Sequence, residues 1–307
     1  MNRSADHVAE RLARGPLVLD GAVGTELERL GVATPAPLWS AASLLDAPQA
    51  VLSIHESYVR AGADILVANT FRTNPRALQR AGRYADGPAI AARAVELARR
   101  AARGSDTLVA ASVGPVEDCY SPERVPPERE LSAEHQVNAA WLSRAAPDLL
   151  WIETIGSARE ARAAAAAAHG VGLPFVVSFI LREDGKLLGG DSSAEAVAAV
   201  TEFEPLALGV NCVPPRGLAA GLAALRVATR LPLVAYGHVG NVRPLPGWSY
   251  TDSPTPEQYA ALAVGWIEAG ARVVGGCCGT GPAYIAALRI AVDRWRAERP
   301  ASPGALV

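Results

Sequence analysis

The sequence predicts an α/β fold, a single (β/α)8 TIM-type barrel, from three observations. Short apolar runs alternate with longer helical patterns along the 307 residues, and eight such units can be counted. The runs are continuously apolar, which is typical of parallel strands that helices cover. The glycines after Asp20 lack the spacing of a dinucleotide-binding fingerprint, which disfavours an open doubly wound sheet. Eight units in this length therefore indicate a barrel.

The predicted elements follow one another regularly along the chain. Strands are expected at residues 17–20, 64–69, 107–112, 149–153, 175–180, 206–211, 233–236 and 272–275. Helices are expected between them at residues 49–61, 89–103, 133–146, 158–169, 194–203, 218–229 and 256–269. Glycine follows several of these helices, as at Gly62 and Gly270, where it is the usual helix terminator.

Two long segments interrupt this regular pattern. One covers residues 31–48 and contains Trp39, and the other covers residues 115–130 and contains Cys119 and Tyr120. Both follow predicted strands on the C-terminal face of the barrel, where barrel enzymes have their sites. Because no linker is visible, we expect one domain over residues 1–300, followed by a frayed C-terminal tail at residues 301–307.

The composition excludes several classes of partner. A net charge of -2 gives no electrostatic reason to expect binding to nucleic acid or to an acidic membrane. Four cysteines are too few for a disulfide scaffold and are typical of a reducing compartment. Residues 1–6 lack the apolar core of a signal peptide and no stretch approaches the length of a membrane span, so we expect neither. We expect a cytoplasmic protein whose partners are small molecules; no pattern indicates its oligomeric state.

The most informative stretch is the sequence GGCCGTGP at residues 275–282. Adjacent side chains in a strand point to opposite faces, so Cys277 and Cys278 could meet one metal only if the glycines around them bend the chain. Cys212 ends another apolar run. Three thiolates from two strand ends would form a zinc site with one open position. The alternative is two buried core cysteines with an unrelated third, or a strained disulfide between neighbours.

Polar residues end most of the predicted strands, although the strands themselves are apolar. They are Asp20, Asn69, Thr70, Ser112, Glu153, Ser178, Asn211, Tyr236 and His238. Each alone has a structural explanation: Asp20 could cap the following helix, and His238 could be a hydrogen-bonded buried imidazole. Because the ends of barrel strands share one mouth, their coincidence with the three cysteines predicts a site there.

Taken together, these motifs resemble the homocysteine S-methyltransferase family. The resemblance rests mainly on LDGAVGTEL at residues 19–27, ANTF at 68–71, GVNC at 209–212 and GGCCGT at 275–280. PLWSA at residues 37–41, ASVGP at 111–115 and IET at 152–154 add to it, so that it covers nearly the whole chain. It implies a (β/α)8 barrel that binds zinc and transfers a methyl group to the sulfur of homocysteine.

The resemblance also implies a role for individual residues. Cys212, Cys277 and Cys278 would hold zinc, and Asp20, Gly21 and Glu153 would engage the amino acid part of homocysteine. Thr70 would lie nearby, and Asn211 would support the site from behind.

Two aromatic residues are candidates for binding a methyl donor. An indole face attracts a cation, so Trp39 could hold a sulfonium, with Phe71 as a second wall. Trp39 could instead only pack its loop onto the barrel. The chain lacks room for the cobalamin and folate domains of large methionine synthases and for the arm of betaine-using relatives. That favours a small sulfonium donor, S-methylmethionine first and S-adenosylmethionine second.

Thiolate ligands for the metal agree better with alkylation of a sulfur atom than with hydrolysis. Three thiolates leave zinc formally negative and keep a bound sulfur nucleophilic, whereas histidine ligands favour activation of water. The alternatives are a zinc hydrolase, a non-catalytic or corrinoid-partnered module that binds homocysteine or zinc, and methylation of a different thiol.

Two loops depart from the family pattern. Residues 236–241, YGHVGN, stand where many members have a Pro-Asn turn, and the loop at residues 116–122 is also unusual. Cys119 in that loop is expected to be an incidental thiol, with a fourth zinc ligand as the alternative.

Overall fold

Eight parallel strands form the centre of the protein in a computed structural model that describes residues 5–239 and 253–299. The strands are β1 Leu17–Val18, β2 Ile65–Ala68, β3 Leu108–Val113, β4 Leu149–Ile155, β5 Phe175–Phe179, β6 Ala207–Asn211, β7 Leu233–Gly237 and β8 Ala271–Gly276. All eight predicted strands are present, with small shifts at their ends. The expected tail at residues 301–307 lies outside the described residues.

The strands close into a barrel. Each strand pairs in parallel with its neighbours in the chain, and β1 pairs with β8. Leu19 forms a parallel bridge with Ile65, and the Asp20 N–H donates to the Ile65 carbonyl at 3.0 Å, which joins β1 to β2. This is the arrangement that repeated right-handed βα units produce, and it confirms the predicted (β/α)8 barrel.

Helices surround the barrel on its outside. Their bounds are α1 Ala5–Ala13, α2 Val23–Arg29, α3 Ser43–Asp46, α4 Pro48–Arg60, α5 Pro75–Arg80, α6 Gly87–Ala101, α7 Glu128–Arg144, α8 Ala158–Gly170, α9 Ser193–Thr201, α10 Leu218–Ala228, α11 Pro256–Glu268 and α12 Pro282–Glu298. The seven helices expected between the strands are present. Within the described residues, none of these helices is long and apolar enough to cross a bilayer.

Strand residues alternate between two hydrophobic cores, which explains why the runs are continuously apolar. One core fills the barrel interior and includes Leu19, Ile65 and Val273, with α1 contributing Val8 and Leu12. The other core lies between the strands and the helix layer. Because both faces of each strand are buried, no polar alternation marks them in the sequence. Polar groups are then concentrated at the open C-terminal end of the barrel.

Candidate active site and metal centre

A cavity of about 420 Å³ opens at the C-terminal ends of the strands. Its walls contain most of the residues that the sequence marks as site candidates, which come from five of the eight strand ends and from the loop at residues 31–48. These are Asp20, Gly21, Trp39, Phe71, Glu153, Cys212, Cys277 and Cys278. Ser112, Cys119, Tyr120 and Tyr236 line the same cavity. Thr70 and Asn211 do not line it.

Three cysteines form a compact cluster on one side of the cavity. The sulfur atoms of Cys212, Cys277 and Cys278 all lie within 4.8 Å of one another, and Cys212 Sγ is 3.9 Å from Cys278 Sγ. All four cysteines are free thiols. Cys119 is not part of this group among the described residues. The cluster therefore offers a metal ion three sulfur ligands on one side.

Cys212 reaches the cluster through an unusual backbone conformation. Its φ is 55°, in the left-handed region that residues with a side chain seldom adopt. The Cys212 N–H donates to the Tyr236 carbonyl at 3.1 Å, and the Cys212 carbonyl lies 3.0 Å from His238 Nδ1. Contacts from the end of β7 thus hold the turn that follows β6.

Cys277 and Cys278 reach the same point because the chain turns sharply after β8. Gly279 has a φ of 82°, and a Cβ there would collide with the Val239 carbonyl. A Cβ on Gly276 would collide with the Thr280 side chain, whose hydroxyl donates to the Cys277 carbonyl at 2.6 Å. Only glycine fits at these two positions, and the resulting turn lets neighbouring cysteines face one ligand.

Hydrogen bonds within the cluster shift the pKa values of its thiols in opposite directions. Hydrogen bonds from the Cys212 and Cys277 thiols hold the pKa of Cys278 well below its usual value. Hydrogen bonds with Cys212 and then with Cys278 favour the protonated form of Cys277 and raise its pKa. Cys278 is therefore the thiol of this cluster that ionises most readily.

Glu153 lies across the cavity with its carboxylate held by two hydroxyl groups. The Ser112 hydroxyl donates to Oε1 at 2.5 Å, and the Tyr236 hydroxyl donates to Oε2 at 3.0 Å. Trp151 Nε1 donates to the Tyr236 hydroxyl at 2.9 Å, so that the phenol proton is directed at Glu153. Burial raises the pKa of Glu153 to about 7. The two hydroxyl groups thus fix the orientation of the carboxylate, but their hydrogen bonds do not offset the effect of burial on its pKa.

Asp20 is a second carboxylate on the same cavity and is only 2% exposed. Its Oδ2 accepts a hydrogen bond from the Val67 N–H at 2.9 Å. Burial raises the pKa of Asp20 well above its usual value, and the charge of Glu153 raises it further. Among the described residues, neither carboxylate has an arginine or lysine partner. This pair would therefore be stabilised by a cation supplied by a ligand.

Gly21 follows Asp20 where the backbone passes close to the β8 loop. A Cβ at this position would lie 2.8 Å from both the Thr280 carbonyl oxygen and the Tyr58 hydroxyl. No side chain fits there, and the Gly21 backbone forms part of the cavity wall.

Thr70 and Asn211 lie behind the wall. Thr70 is fully buried, and its hydroxyl donates to the Ser112 carbonyl at 2.8 Å, away from the cavity. Asn211 accepts from the Thr154 N–H at 2.9 Å and donates to the Thr154 hydroxyl at 2.8 Å. Thr154 has a φ of 64° and directly follows Glu153. Asn211 thus holds the turn that presents Glu153.

A buried cation that the sequence does not reveal contacts the two aromatic residues of the cavity wall. Trp39 and Phe71 are stacked with ring centroids 6.3 Å apart and planes inclined by 18°. The Arg72 guanidinium lies 4.1 Å from the centroid of the Trp39 ring, and its Nη1 donates to the Glu117 carbonyl at 2.8 Å. Arg72 therefore connects the two long loops and already engages the indole.

Several functional candidates had a visible signal in the sequence but no assigned role. Ser112, Tyr236 and His238 all stand at strand ends, and the structure connects them to Glu153 or Cys212. Arg72 had no such signal, since its partner Trp39 belongs to a different loop.

Comparison with known proteins places this arrangement among methyltransferases. A family model described as homocysteine S-methyltransferase matches residues 17–292. Homocysteine S-methyltransferase 4 of Zea mays is 32% identical, with 92% of this chain and 91% of that protein covered. Homocysteine S-methyltransferase of Escherichia coli is 33% identical, with 89% and 94% covered. The metallated crystal structure of the Escherichia coli homocysteine methyltransferase MmuM is similar with a TM-score of 0.79, 32% identity, and 90% and 96% covered.

Proposed function

The chain belongs to the homocysteine S-methyltransferase family, and from this premise we propose that it forms methionine by moving a methyl group from a small sulfonium donor to the thiolate of L-homocysteine. One observation carries the proposal. A cluster of three thiols faces one cavity with two carboxylates that have no arginine or lysine partner in the described part of the chain. Homocysteine has a thiol for the first group and an ammonium for the second.

We propose zinc as the metal, and the donor set fits it. Four ligands at a Zn–S distance of about 2.3 Å in tetrahedral geometry stand about 3.8 Å apart. The 3.9 Å between Cys212 Sγ and Cys278 Sγ is close to this spacing, and all three sulfur atoms lie within 4.8 Å of one another. Three protein ligands leave one position for a substrate. When bound, zinc takes the place of the proton on the homocysteine thiol and keeps the sulfur as a thiolate at neutral pH.

Asp20 and Glu153 are proposed to hold the homocysteine ammonium group. A nearby cation favours the ionised form of a carboxylate, so the ammonium would offset the burial that raises the pKa of both groups. Ser112 and Tyr236 donate to Glu153 and keep its oxygens directed into the cavity. The side chains thus orient the substrate, and orientation is much of what a methyl transfer between two sulfurs requires.

S-methylmethionine is the proposed first donor and S-adenosylmethionine the second. The cavity of about 420 Å³ lies in the lower part of the range of roughly 300–1,000 Å³ for ligand pockets. This size favours two small amino acids over an amino acid and a nucleoside together. Trp39 and Phe71 are the proposed donor-side wall. Because Arg72 already engages Trp39, we expect the indole to attract a sulfonium by only about 0.5 kcal/mol.

The experiment that tests this function is methionine formation by the purified, zinc-loaded protein. Homocysteine is supplied with S-methylmethionine or with S-adenosylmethionine, without folate, cobalamin or a partner protein, and methionine is quantified. We expect turnover with S-methylmethionine and less with S-adenosylmethionine, and none in the Cys212→Ala control. Homocysteine binding without turnover of either donor would indicate the non-catalytic module instead.

A further inference from the structure

The end of β7 forms a bridge between the two cysteine-bearing loops. We call residues 236–239 the β7 extension. It lies between the turn after β6, which carries Cys212, and the turn after β8, which carries Cys277 and Cys278. Its backbone bonds to the cysteines are Cys212 N–H to the Tyr236 carbonyl at 3.1 Å, Cys277 N–H to the Gly237 carbonyl at 2.9 Å, and Val239 N–H to the Cys278 carbonyl at 2.8 Å.

His238 adds a side-chain contact to this bridge. The residue is 1% exposed, and its Nδ1 lies 3.0 Å from the Cys212 carbonyl oxygen. Its backbone N–H donates to the Val213 carbonyl at 3.1 Å. A carbonyl oxygen can only accept, so Nδ1 must carry a hydrogen in this contact. The contact therefore defines the tautomer of the imidazole ring.

The carbonyl that His238 holds belongs to a strained residue. Cys212 has a φ of 55°, and a non-glycine residue keeps such a conformation only where its surroundings impose it. Rotation about the N–Cα bond of Cys212 would relax this conformation, and it would move the Cys212 thiol and the Cys212 carbonyl together. The backbone bond from Cys212 N–H fixes the peptide before the residue, and His238 fixes the one after it.

We propose that His238 is a positioning residue of the metal centre. Its Nδ1–H holds the Cys212 carbonyl and thereby keeps Cys212 Sγ within ligand distance of Cys277 and Cys278. This inference rests on the metal site of the proposed function. Groups that hydrogen-bond around metal ligands typically change metal affinity by about 10–100-fold when they are removed.

The test compares His238→Asn with His238→Leu. The two side chains branch at the same carbon and have nearly the same shape, but only the amide can donate to the Cys212 carbonyl. His55→Leu is the matched control, because His55 is a buried histidine on α4 that does not line the cavity. The zinc dissociation constant is measured by competition with a chromophoric chelator, and the cobalt-loaded proteins report thiolate ligation through their sulfur-to-metal absorption.

We expect His238→Leu to bind zinc about 10–100-fold more weakly and to lose part of the cobalt–thiolate absorption. We expect His238→Asn and His55→Leu to stay near wild type in both. Affinity of His238→Leu within about twofold of wild type, or equal weakening in the Asn variant, would overturn the proposal. If the wild type itself bound no metal, the proposed function would fail instead.

A measurement on the wild type keeps the inference testable even if His238→Leu does not fold. Nitrogen-15 NMR of the imidazole rings distinguishes the two tautomers directly. We expect His238 to carry its hydrogen on Nδ1 in the zinc-loaded protein. A ring protonated on Nε2 alone would contradict a donated bond to Cys212.

Discussion

Glu153→Gln is the substitution that separates substrate binding from metal binding. The change keeps the shape of the side chain and one oxygen for Ser112 or Tyr236, but it removes the charge that is proposed to face the ammonium group. Loss of one member of a desolvated charge pair typically costs about 2–5 kcal/mol, which corresponds to a homocysteine affinity roughly 30- to 5,000-fold weaker. Zinc content should stay unchanged, because the cysteine cluster does not include Glu153.

The pKa of Glu153 adds a pH dependence to this prediction. Burial raises it to about 7 in the substrate-free protein, and the ammonium binds the ionised form. The ionised fraction rises from about 0.1 at pH 6 to about 0.9 at pH 8, so affinity should increase about tenfold from this source. Release of the thiol proton on metal binding also favours high pH. Only the component from Glu153 should disappear in the Gln variant.

The assay is calorimetric titration of zinc-loaded protein with homocysteine at pH 6, 7 and 8. Glu195→Gln is the control, because Glu195 caps α9 and does not line the cavity; this variant should bind homocysteine as the wild type does. Affinity of Glu153→Gln close to wild type, or the same pH dependence in both proteins, would contradict the proposed role of Glu153.

Three further predictions follow from other parts of the molecule. Cys212→Ala should lose zinc by elemental analysis while its circular dichroism stays that of a folded barrel, and full zinc content would contradict the ligand assignment. Trp39→Leu should weaken donor binding by about 0.5 kcal/mol, roughly twofold in KM, with homocysteine affinity and zinc content unchanged; an unaltered donor KM would remove Trp39 from the donor site. His55 is buried with neither ring nitrogen hydrogen-bonded among the described residues, and burial lowers its pKa to about 4. Its neutral form therefore stabilises the fold above pH 6.5, and this stability is lost as the pH falls toward 4. Between pH 7 and pH 5, urea unfolding should show the wild type losing about 2 kcal/mol more than His55→Leu, and parallel losses would contradict this.

The barrel could be predicted because its strands carry a strong local signal. Both faces of each strand are buried, so each appears as an uninterrupted apolar run followed by a long helix. Among the described residues, five helices lie outside the predicted set. α2, α3 and α5 have only seven, four and six residues, too few for a helical period to be recognised, and α1 and α12 lie before the first strand and after the last one.

Some features of the site could be predicted from the regular strand–helix pattern, and others could not. Cysteines at two strand ends had to converge because all strand ends meet at one mouth. Thr70 could not be placed from the sequence, because the chain turns directly after β2: its N–H donates to the Ala68 carbonyl at 2.6 Å, and its hydroxyl donates to the Ser112 carbonyl at 2.8 Å, away from the cavity. Arg72 depends on contacts between separate loops, and no local pattern records such contacts.

The proposed open position on the metal can be tested directly by X-ray absorption at the zinc edge, with and without homocysteine. We predict three sulfur neighbours around zinc in the free protein and four when homocysteine is bound, since the substrate thiolate would take the remaining position. If homocysteine leaves the sulfur count unchanged, this cluster does not bind the substrate sulfur through its metal.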